Sequence, residues 1–185
     1  MLILLKLSGL ISEIVFMSLI YVSYIKAGKL NLHQNTFSYF GANKKSEHIF
    51  NNGLTILCLI RLTFVSTIIN VVFPNQILIK ESLYGAILAG ILASSVSLGK
   101  SKFFHIVFAY IMIGFSFIFL LLSGLILIIS QFYLGLFNIL ISLILLISTV
   151  YFYFKHKING YFEIFIFAII FIWDWVMTLK LFGIV

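Results

Sequence analysis

Long apolar runs alternate with short polar connections along the whole chain. Six runs stand out, roughly Leu2–Ile25, Gly53–Phe73, Ser82–Leu98, Phe103–Ile129, Phe132–Phe154 and Tyr161–Gly183. None has the strict alternation and turn spacing of a transmembrane strand. A bilayer core of about 30 Å takes roughly 20 helical residues at about 1.5 Å each. Five runs reach that length, and the third does so if it begins at Ile77. The pattern predicts an all-α fold, a polytopic membrane bundle of six transmembrane helices. Pro74 and Asn75 end the second helix, since proline cannot continue it. Ser101 and Asn159 are candidate N-caps for the fourth and sixth. Only one connection is long, so residues 1–185 read as a single six-helix transmembrane domain with a polar re-entrant or interfacial loop at 26–52. No repeat argues for the inverted halves of a transporter.

Composition agrees with this reading. Of the 185 residues, 63% are hydrophobic and 9% charged, against about 25% charged in soluble domains. Such a chain cannot coat itself for water, so lipid covers most of its surface. The net charge of +7 follows membrane topology and forms no compact basic domain, which excludes nucleic acid as a partner. The connections after the first, third and fifth helices hold Lys26, Lys29, Lys44, Lys45, Lys100, Lys102, Lys155 and Lys157, against Lys6, Lys80 and Lys180 opposite. The positive-inside rule then puts those connections in the cytoplasm and both termini outside, in a multi-pass protein of the cell membrane. The first run is too long for a signal-peptide core and contains Glu13, so it reads as a retained helix. Cys58 is the only cysteine, which rules out a disulfide within the chain.

Polar positions inside the apolar runs carry the chemistry. The third helix repeats small residues every fourth position, Gly85, Ala89, Ala93 and Ser97, with Ala86, Gly90 and Ser94 alongside; such a stripe lets helices approach closely in lipid. Glu13, Arg61 and Asp174 lie deep in their helices, where a charge costs about 2.5–3.5 kcal/mol even on the lenient scale. They read as an intramembrane charge network in which Arg61 bonds Glu13 or Asp174, with Glu13 and Arg61 at one depth and Asp174 nearer the outer side. Trp173 and Trp175 flank Asp174 as members of an aromatic belt. Glu163 and Asp174 are eleven residues apart, hence on one helix face about 16 Å apart. Glu163 also suits the positive end of its helix. His105, Ala109, Met112, Ser116 and Ser123 form one weakly polar face of the fourth helix, and Gly135, Asn138, Ser142 and Thr149 another on the fifth. All four histidines, His33, His48, His105 and His156, map to the cytoplasmic side with Glu47. None has the close spacing of a zinc signature, so no metal or other cofactor is implied.

The long connection holds the densest polar passage, "FSYFGANKKSEHIFNNGLTIL". It resembles the Ser-x-x-Gly-Ala, then Phe-Asn-x-Gly-Leu, signature of the domain-of-unknown-function family numbered 998, at Ser38, Gly41, Ala42, Phe50, Asn51, Gly53 and Leu54. "FFHIVFAYIMIGFS" is similar to that family's middle helix, opening on His105, and "GYFEIFIFAIIFIW" to its last, with Gly160, Glu163 and Trp173 in matching places. The resemblance covers nearly the whole chain. It implies a six-helix integral membrane protein and no established activity. Many members of the family look as if the N-terminus is inside, whereas the lysines here put it outside.

Resemblance and topology converge on Ser38, Asn51, His105 and Glu163, drawn from the long connection and three helix starts on one membrane face. Helix starts offer free amides and a positive dipole end, suited to an anionic headgroup or carboxylate. The expectation is a ligand-binding mouth with Ser38–Gly53 folded over it; the plainer alternative is that this segment caps the second helix through Ser46. Three functions fit. The first is binding or transport of a lipid headgroup or small solute. A membrane-embedded lipid hydrolase, with or without a metal, would use His105 and Glu163. A structural subunit would pack the small face of its third helix on a larger complex. The expected partners are membrane lipid and, for assembly, a second copy or a larger membrane complex.

Overall fold

The computed structural model describes residues 2–96, 98–155 and 159–185; Ser97, His156 and Lys157, invoked above, lie outside the described residues. Six helices are long and apolar enough to span a membrane. They are α1 (Leu2–Ala27), α3 (Glu47–Val72), α4 (Ile77–Ser95), α5 (Lys102–Ser130), α6 (Phe132–Phe154) and α7 (Gly160–Leu181), with a short helix α2 (Tyr39–Ala42) in the long connection. The protein is a multi-pass integral membrane bundle.

The spans pack in chain order around a ring, α1 on α3, α3 on α4, and so on to α7, which closes on α1. Apart from the long connection between α1 and α3 the connections are short, and spans consecutive in the chain run antiparallel. Helix α3 also reaches α7 across the ring, and α2 lies on α1 and α3. Phe64, Ile68, Phe119, Trp173 and Met177 fill the interior, while Ile14, Leu78, Phe103, Ile129 and Ile147 stand exposed on the outer wall. Lys6 Nζ donates to Leu181 O at 2.5 Å, placing a cation on the free carbonyls that end α7.

Two helix starts differ from the apolar runs. Helix α3 begins at Glu47, six residues before Gly53, and α4 at Ile77 rather than Ser82. Polar residues break the apolar run at each place, Glu47, His48, Asn51 and Asn52 at the start of α3 and Lys80 and Glu81 one turn into α4, so hydropathy does not register these residues as helix. Asn159 caps α7, its Oδ1 accepting from Phe162 N at 3.3 Å. Ser101 sits at the N-cap position of α5 without a side-chain cap bond.

Small residues set the closest approaches. On α4, Ala86, Ala89 and Ala93 are buried, and a Cβ on Gly85 would meet the Phe115 ring at 3.1 Å. The stripe is therefore spent inside the bundle, between α3 and α5. At the α5–α6 crossing a Cβ on Gly124 would meet Gly135 O at 2.9 Å, and one on Gly135 would strike the Ile128 backbone. Beside it Asn138 Nδ2 donates to Ser123 Oγ at 3.0 Å, joining the two polar faces read from the sequence. Backbone cannot yield as a flexible side chain can. Gly135→Ala is expected to lower stability in detergent by about 1–3 kcal/mol. Gly114→Ala, where a Cβ meets nothing within 4 Å, should be neutral. Thermal unfolding of both variants checks this.

Candidate functional site

The long connection leaves α1 through Gly28, whose φ of +87° reverses the chain at little steric cost. It then runs over the start of α7. Gly160 N donates to Leu32 O at 3.0 Å, and a Cβ at Gly160 would press on Leu32 and on Asn35 O. His33 stacks edge-on to Tyr161, ring centroids 4.9 Å apart. The turn that follows aims two donors at Glu163: Phe37 N–H at Oε2, and the Ser38 hydroxyl at Oε1, 3.3 Å away.

The same hydroxyl reaches the start of α5, where His105 Nε2 lies 3.0 Å from Ser38 Oγ. His105 Nδ1 faces two carbonyl oxygens at the end of α4, Ala93 O at 2.9 Å and Val96 O at 3.0 Å. Since carbonyls only accept, Nδ1 carries a hydrogen. Nε2 then accepts from Ser38 in a neutral ring or donates to it in a charged one. The Ser38 hydroxyl thus bridges His105 and Glu163, within hydrogen-bond distance of both. Three of the four residues expected at the mouth, Ser38, His105 and Glu163, form this bridge.

Asn51 stands apart from it. Its Nδ2 donates to Gly41 O at 3.1 Å, and its Oδ1 fills the space a Cβ on Gly41 would need. Phe50 packs on buried Phe40, centroids 5.9 Å apart. Gly53 lets Leu19 of α1 approach α3. Asn51 therefore fixes α2 upon α3 and positions Ser38 from one step away. Ser46 does not fill the role of a side-chain cap; its hydroxyl donates to Phe40 O at 2.7 Å instead.

At mid-membrane Arg61 pairs with Asp174 through both ends of its guanidinium, Nη1 to Oδ2 at 2.5 Å and Nη2 to Oδ1 at 2.9 Å. Nη1 also leans on Ser12 Oγ at 3.4 Å. Asp174 is fully buried. The two partners stand at one depth, each fourteen residues past the first residue of its helix. Asp174 looks nearer the outer side only if α3 is begun at Gly53. Glu13 takes another partner, accepting Trp175 Nε1–H at 2.9 Å. The two tryptophans do not form a shared belt. Trp173 is buried against Phe119 and Phe64, centroids 5.3 and 6.2 Å away, and Trp175 alone faces outward. The Trp175–Glu13 bond was invisible in the sequence, since nothing in spacing joins residues on the first and last helices.

His48 is exposed at the end of a groove of about 440 Å³ between α1 and α3, lined by Val15, Leu19, Val22, Asn52 and Ile56. Among the described residues no three His, Cys, Asp or Glu side chains converge as a metal site would need. Compared with known proteins, the chain matches no family model, no curated protein and no solved structure.

Proposed function

We propose that the protein binds or transports a lipid headgroup or small solute at this polar mouth, with residues 26–52 as its lid. The observation that carries the reading is the Ser38 hydroxyl, shared between His105 and Glu163. The lid is held by groups for which a ligand with donors and acceptors competes directly. Lys26, Lys29, Lys44, Lys45, Lys100 and Lys102 are exposed on the same face, which favours an anionic ligand. On this reading that face is cytoplasmic, the membrane is the cell membrane, and membrane lipid is the first partner. We also propose membership of the family numbered 998, on the motif resemblance at Ser38, Gly41, Phe50, Asn51 and Gly53 alone, which adds no activity.

One observation favours the hydrolase alternative: Ser38 Oγ and His105 Nε2 are at nucleophile–base distance, with Nδ1 anchored. Acyl transfer also needs free amides for a developing oxyanion. Here the Phe37 amide is taken by Glu163, whose carboxyl flanks the hydroxyl on its other side. Recognition is the better fit. The small-residue face that a structural subunit would offer is already covered within the chain.

Native mass spectrometry with added phosphatidylglycerol and phosphatidylcholine tests the proposal. The expected result is preferential retention of phosphatidylglycerol, weakened severalfold in His105→Ala and in the Lys44→Ala/Lys45→Ala pair. Equal retention of both lipids in all variants would refute headgroup recognition. A fluorophosphonate adduct on Ser38, lost in His105→Ala, would favour the hydrolase.

A further inference from the structure

A carboxyl group in hydrocarbon needs a cation, a set of donors or a proton. Glu13 lies near the middle of α1, half-buried on the seam with α7. Trp175 on this seam is more than half exposed, as are Ile14 and Ile172 nearby in sequence, so the seam faces lipid. Glu13 Oε2 accepts the Trp175 indole hydrogen. Its Oε1 is shielded and has no hydrogen-bond partner among the described residues. The charged groups beside it are Arg61 from α3 and Asp174 from α7, and they are bonded to each other. Helices α1 and α7 are therefore joined by two rungs: Ser12–Arg61–Asp174 inside, and Glu13–Trp175, one residue further along each helix, outside.

We propose that Glu13 and Trp175 form a mid-membrane proton-binding site, with the hydrogen on Oε1 and the indole holding Oε2. Asp174 does not need that proton, because its charge is met by both ends of Arg61. Loss of the proton leaves the Glu13 carboxylate with one donor, and Arg61, one rung inward, is the cation that can turn towards it. Proton release is in this way coupled to the central ion pair. The inference rests on the mid-membrane rungs and stands independently of the mouth.

Dicyclohexylcarbodiimide, a lipid-soluble reagent, tests it on the full chain in lipid vesicles. A protonated carboxyl adds across the carbodiimide, its hydrogen passing to one nitrogen and its oxygen to the central carbon. Acyl migration to nitrogen then leaves a stable N-acylurea with no leaving group. Peptide mass spectrometry reads the adduct at each of the chain's five acidic residues. Glu13 is expected to label at least about tenfold faster than Glu47 and Glu81, as a neutral carboxyl in lipid should. Its labelling should slow as the buffer is made alkaline, and Glu13→Gln should remove the adduct. Labelling of Glu13 no faster than Glu47 and Glu81 overturns the proposal, as does labelling of Asp174 in its place. Labelling of Glu13 that ignores buffer pH also overturns it, since a proton that never leaves is not a ligand.

Discussion

Replacing Arg61 by leucine is expected to destabilise the bundle by about 3–5 kcal/mol, because Asp174 is left buried without its cation. Both guanidinium ends bond Asp174, whose side chain has no exposure. Water cannot reach the stranded carboxylate, and Ser12 offers it nothing comparable. Asp174→Leu strands Arg61 in the same way. The double replacement Arg61→Leu/Asp174→Leu should recover most of the loss, since an apolar pair of similar volume removes both desolvation penalties. Lys44→Leu, at an exposed position, serves as the surface control. Thermal unfolding in detergent reads all four. Equal, small losses for Arg61→Leu and Lys44→Leu would mean that Asp174 does not depend on Arg61.

Replacing Glu163 by leucine should release the long connection from α7. The substitution removes the acceptor for Phe37 N–H and one partner of Ser38, and a typical hydrogen bond is worth about 0.5–1.5 kcal/mol. The opening should be local, because Phe40 and Phe50 still hold α2 on α3. Glu163→Gln keeps an acceptor oxygen for the amide and should lose less. Thiol labelling of Thr36→Cys in a Cys58→Ala background measures the effect: slow in the parent, faster in Glu163→Gln, fastest in Glu163→Leu. Equal rates in all three would show that Glu163 does not hold the long connection.

Helix number was legible because the bilayer demands a long unbroken apolar run for each span. Helix starts were less so. The first six residues of α3, Glu47 to Asn52, are mostly polar and nonetheless helical, and beginning that helix at Gly53 misplaces Arg61 relative to Asp174. Ser38, His105 and Glu163 could be chosen as neighbours because each stands at a helix start or in the connection on one face. The sequence could not reveal that Ser38 lies between the other two, nor that Asn51 turns away to hold Gly41. Those outcomes depend on the path of residues 28–38, which is set by packing on Gly160 and Tyr161. The Glu13–Trp175 bond was unreadable for a similar reason, since it follows from the ring closing α7 upon α1.

The central claim is that the long connection is latched to α7 through Glu163. Residue-resolved hydrogen exchange at the Phe37 amide tests it most directly. That amide lies in a loop outside any helix, and its partner is the Glu163 carboxyl. It should exchange slowly in the parent protein and at the rate of an open loop in Glu163→Leu, with α3 and α7 unchanged. Fast exchange in the parent, or slow exchange that survives Glu163→Leu, would contradict the latch.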